Sequence, residues 1–138
     1  MEPYGYYDFS DEDYFDEALA AFDTGDSDDE PDLHDILRHY WGYDSFRPLQ
    51  LEISQSVLDG RDTIGLLPTG GGKSITFQVP AMVLDGLTVV ISPLISLMKD
   101  QVDNLRRRRI PAAYLGAGMS RAEADYTYER LRQGKLRL

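Results

Sequence analysis

Apolar positions change spacing in a regular way from residue 31 onward, and that change predicts the elements. Leu33, Ile36, Leu37 and Tyr40 follow helical spacing, with Gly42 as a stop. A second helix is predicted from near Pro48, a residue suited to a first turn, to Gly60. Residues 62–67 are a short apolar run feeding a glycine loop, which predicts a buried strand. A helix follows from Lys73, with Pro80 expected to kink or interrupt it, because proline lacks an N–H and crowds the preceding turn. Residues 87–92, rich in Val and Ile, predict the next strand. Leu94, Leu97, Met98, Val102 and Leu105 then trace a helix face, with Leu97 and Met98 packing inward. Residues 112–115 predict a brief third strand. Ser120 and Glu123 have capping-box spacing and open a helix that should stop at Gly134, and residues 135–138 begin a fourth strand. Strands alternating with helices predict an α/β fold with a parallel sheet covered on both faces. A parallel sheet that stops at the start of a strand leaves an open apolar edge, so 31–138 reads as the first part of a longer, truncated domain.

Charge divides the chain differently. Of its 138 residues 24 are acidic, and twelve of these lie in 1–30, whereas no Lys or Arg precedes Arg38. Residues 31–138 hold twelve acids against fourteen Lys and Arg, so the net charge of -10 belongs to the front segment and leaves the rest able to take an anion. In 1–30 the acids alternate with Tyr4, Tyr6, Tyr7, Phe9, Tyr14, Phe15 and Phe22, and residues 25–31 look like a linker. High charge and few β-branched residues predict a solvated, disordered tail, in which Asp11 to Phe22 forms at most a transient amphipathic helix. The chain has no cysteine, which excludes disulfides and thiolate metal sites, and His34 and His39 alone cannot build a zinc site. No apolar run reaches membrane-spanning length, and acids stand where a secretory signal carries Lys or Arg. A cytoplasmic protein is expected, nucleoid-associated in a bacterium, or a nuclear one in a eukaryote.

The most informative stretch is Leu67-Pro68-Thr69-Gly70-Gly71-Gly72-Lys73-Ser74, set between a predicted strand and a predicted helix. Thr69, Gly70, Gly71 and Gly72 would let the backbone turn tightly and aim N–H groups at one anion, helped by the helix N-terminus. Lys73 would place a point charge on the β/γ-phosphates as the catalytic lysine, and the Ser74 hydroxyl would ligate Mg²⁺. A strict phosphate-loop pattern wants glycine where Leu67 stands. That departure counts against a kinase or GTPase and fits the looser helicase-type loop.

Three blocks together resemble the RecQ family of DNA helicases: Trp41 to Gln50, Leu67 to Ser74, and Val89 to Val102 with its Ser-Pro-Leu-x-Ser-Leu-Met-x-Asp-Gln core. The resemblance covers about residues 31–138 and implies a RecA-like, P-loop NTPase fold using ATP and Mg²⁺. It implies that Tyr43, Arg47 and Gln50 form the adenine pocket. Gln50 has a donor and an acceptor to match adenine's edge, and Tyr43 and Arg47 can sandwich the base. The plainer alternative makes Tyr43 and Phe46 core residues and Arg47 a surface charge. The resemblance further implies contacts with single-stranded DNA from Ser92, Pro93 and Leu94, and from the loop Gly116-Ala117-Gly118. The latter lacks the Asn and Ser usual in such loops, which leaves it backbone contacts. Arg106 to Arg109 end a predicted helix, where cations complement the dipole, and read as a solvated cap.

Hydrolysis also needs a carboxylate pair to hold Mg²⁺ and polarise water, Asp-Glu-x-His in RecQ-like proteins, and the 138 residues contain no such string. The expectation is therefore twofold: a parent protein that couples ATP hydrolysis to 3′-to-5′ DNA unwinding in repair and recombination, and a chain that by itself binds ATP weakly and hydrolyses almost none. Two rivals stand beside it. One is another P-loop enzyme, such as a kinase or RNA helicase. The other is a non-enzymatic module with a vestigial nucleotide site, whose acidic tail binds a partner. The tail's alternative to a solvated segment is a docking peptide for a basic partner surface or for this protein's own DNA groove.

Overall fold

The computed structural model describes residues 31–138; the acidic segment 1–30, with the stretch Asp11–Phe22, lies outside the described residues. Five helices occur among the described residues: α1 (Leu33–Trp41), α2 (Gln50–Leu58), α3 (Ile75–Val83), α4 (Ile95–Arg107) and α5 (Arg121–Arg132). Residues 31–88, with α1 to α3, and residues 89–138, with α4 and α5, belong to two separate compact units. Among the described residues the longest helix has 13 residues, and none is long and apolar enough to cross a membrane.

In residues 31–88, α1 forms where the apolar spacing predicts. The Asp32 side chain accepts from the His34 N–H at 2.9 Å and opens it, and Gly42, at φ 73°, closes it by donating to the Arg38 carbonyl at 3.0 Å. Leu33, Ile36 and Leu37 are buried, and α1 and α2 both pack on α3, which contributes Ile75, Val79 and Met82 to the core. Helix α2 begins two residues later than Pro48 suggests, because Leu49 takes φ 70°. For a side chain with a Cβ that left-handed turn costs about 1–2 kcal/mol. Pro80 sits inside α3 without ending it. Its missing N–H forfeits the ladder bond to Thr76, while its fully buried ring adds to the core.

In residues 89–138, Val102 and Leu105 of α4 are buried with Ile110, Ala112 and Leu136. Leu97 is 44% exposed, against the inward packing expected of it, and Met98 is half-buried. Helix α4 ends in a two-bond turn: Arg109 N–H donates to Arg106 O at 2.8 Å and Ile110 N–H to Leu105 O at 3.0 Å. The left-handed position of that turn is Arg109, at φ 62°, whereas the matching ends of α2 and α5 use Gly60 and Gly134. Arginine there costs about 1–2 kcal/mol that glycine would not.

The predicted capping box of α5 is present. The Ser120 N–H donates to a Glu123 carboxylate oxygen at 2.7 Å, and the Glu123 N–H donates to Ser120 Oγ at 3.2 Å. The Ser120 backbone N–H, and after it the Ser120 side chain, hold the Glu123 carboxyl below its ordinary value of 4.5. A depressed carboxyl pKa means that the unfolded chain binds the proton more readily, so this contribution is present above pH 4.5 and lost as pH falls through the lower folded value. Acidification below pH 4.5 should therefore fray α5 from its first turn, seen as loss of the Ser120 amide's protection in NMR exchange. Glu123→Gln, which cannot titrate, should remove that acid step.

The predicted parallel sheet is not formed among the described residues: 62–67, 87–92, 112–115 and 135–138 carry no regular secondary structure. A strand exists through hydrogen bonds to a neighbour, and an apolar run dictates extension without supplying that neighbour. Nor are the first two runs buried, since Ile64 and Leu66 are 91% and 83% exposed and Val89 and Ile91 are 73% and 94% exposed. A first rung does exist between the last two runs. Arg137 and Leu138 N–H groups donate to Pro111 O at 2.9 and 3.4 Å, and the Ala113 N–H donates to Leu138 O at 3.2 Å. One residue, Leu138, thus bonds on both sides of Ala112, the pattern of parallel neighbours.

Candidate nucleotide-binding site

The glycine loop lies in residues 31–88, between the extended run 62–67 and α3. Its first part is a turn in which the Gly71 N–H donates to Pro68 O at 2.8 Å, and Gly70 takes φ 77°. Gly72 is also left-handed, at φ 76°, and Lys73 and Ser74 then lead into the first turn of α3, where the Thr76 N–H and hydroxyl both donate to Lys73 O. This geometry suits a phosphate. The space a Cβ of Gly70 would fill is open. Among the described residues the N–H groups of Gly72 and Lys73 donate to nothing, and the exposed Lys73 ammonium has no ion pair. Donors left open at a helix N-terminus are what a bound anion satisfies. Thr69 is exposed at the tip of the turn.

The upstream element reaches this loop directly. Arg47 donates from its guanidinium to Gly70 O at 2.6 Å, and the Gln50 side-chain NH₂ donates to Gly72 O at 2.9 Å. The other end of Gln50, its Oε1, accepts from the Arg47 backbone N–H at 2.8 Å, and Gln50 is 4% exposed. Both hydrogen-bonding groups of Gln50 are thus used inside the protein, so Gln50 and Arg47 here act as a clasp on two loop carbonyls. Sequence reasoning assigned these residues to a base and did not foresee the clasp. Its partners lie 22 and 23 residues away, and no periodicity joins them.

Tyr43 is 51% exposed and so is not a core residue, which leaves its ring face open to a ligand. Phe46 packs edge-to-face on His34, with ring centroids 5.1 Å apart, and Asp44 pairs with Arg38 at 3.6 Å. These two contacts tie the segment carrying Tyr43 and Arg47 to α1. A groove of about 590 Å³ nearby, lined by Asp32, His34, Glu52, Gln55 and Arg61 among others, includes none of the candidate residues.

The candidate DNA-contacting residues lie in residues 89–138. Ser92 Oγ accepts from the Leu94 N–H at 3.4 Å in the turn that precedes α4, with Pro93 and Leu94 exposed. Gly116, Ala117 and Gly118 form a turn closed by Met119 N–H on Gly116 O at 3.4 Å, with Gly118 at φ 88°. A Cβ on Gly116 would sit 3.5 Å from Met98 and 3.7 Å from Ile95. The fold therefore brings both predicted loops to the N-terminal end of α4, although 22 residues separate Leu94 from Gly116.

No group of three or more His, Cys, Asp or Glu among the described residues can hold a metal ion.

A family model for DEAD/DEAH box helicases matches residues 47–136. The chain is 49% identical over 110 residues to an ATP-dependent DNA helicase RecQ of Synechocystis sp., covering 80% of this chain and 23% of that protein. It is 47% identical over 104 residues to the RecQ of Bacillus subtilis, covering 75% and 18%. It is 53% identical over 83 residues to ATP-dependent DNA helicase Q-like 4B of Arabidopsis thaliana, covering 60% and 7%. The chain thus spans less than a quarter of the length of these relatives. A match over most of the residues that carry the clasp, the glycine loop and the α4 loops decides the assignment: the chain belongs to the DEAD/DEAH box helicase family, and its similarity there is to RecQ-type proteins.

Proposed function

We propose that the chain is the nucleotide-binding front of a RecQ-type helicase that couples ATP hydrolysis to 3′-to-5′ unwinding of DNA. The observation that carries this reading is the clasp of Arg47 and Gln50 on Gly70 and Gly72, which joins the segment carrying Tyr43 to the glycine loop. Tyr43 would stack on the base, and Arg47 and Gln50 would exchange loop carbonyls for the base's edge. Gly72 and Lys73 N–H groups and the Lys73 ammonium would hold the β/γ-phosphates. Mg²⁺ bound with the nucleotide would neutralise charge on the phosphate oxygens, with Ser74 as a ligand. Ser92, Pro93 and Leu94, with the backbone of Gly116 to Gly118, would face a single strand of DNA. The protein would work in the cytoplasm of a bacterium or the nucleus of a eukaryote.

The 138 residues contain no Asp-Glu-x-His string, so this chain is expected to bind ATP without turning it over. Titration with fluorescent ATP and GTP analogues in Mg²⁺ tests the reading. Saturable binding that favours ATP supports it; no binding, or equal binding of the two bases, overturns the adenine site. DNA-stimulated phosphate release by the purified chain would overturn the claim that it does not hydrolyse ATP.

A further inference from the structure

Two arginines at the end of α4, Arg107 and Arg108, have no acidic partner among the described residues. Residues 89–138 hold ten Lys and Arg against five acids, and four of the ten are the run Arg106 to Arg109. Two other arginines of this unit are matched within their own helix: Arg121 pairs with Asp125 at 3.8 Å and Arg132 with Glu129 at 3.6 Å. Arg107 and Arg108 are held differently. The Arg107 guanidinium donates to the Asn104 side-chain oxygen at 3.0 Å, and the Arg108 guanidinium donates to the Asn104 carbonyl at 2.9 Å. Both acceptors are neutral, so two oriented guanidinium groups keep their full charge. Arg109 holds a left-handed position where α2 and α5 use glycine, so the run continues through a residue that the turn disfavours.

The same chain carries the complementary sequence. Residues 1–30 have twelve acids, no Lys or Arg, and seven aromatic side chains spaced among the acids. Alternating anions and planar rings is the chemistry of single-stranded nucleic acid, phosphate and base in turn. Thirty residues reach as far as about 100 Å when extended, so the covalent tether does not limit which surface the segment meets. Tethering also raises its local concentration to roughly the millimolar range.

We propose that the acidic aromatic segment 1–30 docks on the cationic surface centred on Arg107 and Arg108, as an internal stand-in for single-stranded nucleic acid. The residues read as facing DNA, Ser92 to Leu94 and Gly116 to Gly118, lie at the other end of this 13-residue helix, about 20 Å away. A thirty-residue segment is long enough to cover both ends and so to compete with DNA, and that consequence alone rests on the DNA-binding reading above. The experiment starts from a full-length variant with every acid of 1–30 changed, Asp→Asn or Glu→Gln, which leaves the surface vacant. A fluorescein-labelled peptide of residues 1–30 is titrated with it at rising NaCl. Binding that weakens by tenfold or more between 50 and 200 mM salt is expected, as for on the order of two or more released counterion contacts. Arg107→Gln with Arg108→Gln should weaken it further, about tenfold. Arg121→Gln with Arg132→Gln, whose arginines are already paired, should leave it within about twofold; all variants are first checked for unchanged helix content. No peptide binding, or binding indifferent to Arg107 and Arg108, overturns the proposal.

The second arm measures a labelled oligo-dT strand on the natural chain and on the neutralised variant. DNA binding about tenfold tighter in the neutralised variant is expected, and measurable but equal DNA binding by both overturns the competition. Peptide docking that depends on Arg107 and Arg108, together with no DNA binding by either form, supports the docking and refutes the nucleic-acid reading of this unit.

Discussion

Replacing Gly72 with alanine should both destabilise the unit formed by residues 31–88 and abolish nucleotide binding. Two independent costs fall on one position. The backbone is at φ 76°, which a residue with a Cβ tolerates at about 1–2 kcal/mol. The new Cβ would also collide with Gln50 Nε2, the atom that donates to the Gly72 carbonyl. Gln50 is buried, so pushing its amide away strands a polar group at about 1–3 kcal/mol. The sum, roughly 2–5 kcal/mol, is a large share of the stability of a small domain. Urea unfolding of the purified variant reads it directly. Gly70→Ala is the matched control: its φ of 77° is the same, but nothing lies within 4 Å of its Cβ, so backbone strain alone should appear. Equal losses in the two variants would mean that the clasp contributes nothing.

Lys73→Ala should weaken nucleotide binding while sparing the fold. Lys73 is exposed and has no ion pair among the described residues, so its removal should change stability by no more than about 0.5 kcal/mol. A charge-assisted hydrogen bond to phosphate is worth about 1.5–3 kcal/mol, which corresponds to roughly a 10- to 100-fold weaker ATP affinity. Calorimetric titration with Mg-ATP, beside a urea curve on the same sample, separates the two effects. Unaltered affinity would remove the ammonium from the phosphate site and leave only the backbone donors. A matching drop in stability would mean that Lys73 holds the loop rather than the ligand.

These two substitutions mark the boundary of what was legible in advance. Local signals were readable because they depend on a few neighbouring residues. The stripe of Leu33, Ile36 and Leu37, the stops at Gly42 and Gly134, and the Ser120–Glu123 box all formed as their spacing required. The glycine loop before Lys73 was readable for the same reason, since a tight turn entering a helix constrains consecutive residues. Pro80 does not interrupt α3, and its ring is buried in the core; burial is not a local property. Leu97 was misjudged as core, because an amphipathic stripe states which face is apolar and not how far the packing extends over it.

The sequence by itself determined the helices, their caps, the loop and the uneven charge, because each follows from backbone stereochemistry or composition within a short window. Only the tertiary structure decided that Gln50 and Arg47 grip Gly72 and Gly70, and that Gly116 rests beside Ile95 and Met98 at the start of α4. It also decided that runs 62–67 and 87–92 stay unpaired among the described residues. The physical reason is common to all three. Hydrogen bonds and contacts between residues more than twenty positions apart depend on where the chain returns, and a ladder depends on a second strand. Neither is encoded in the residues that make only one side of the contact.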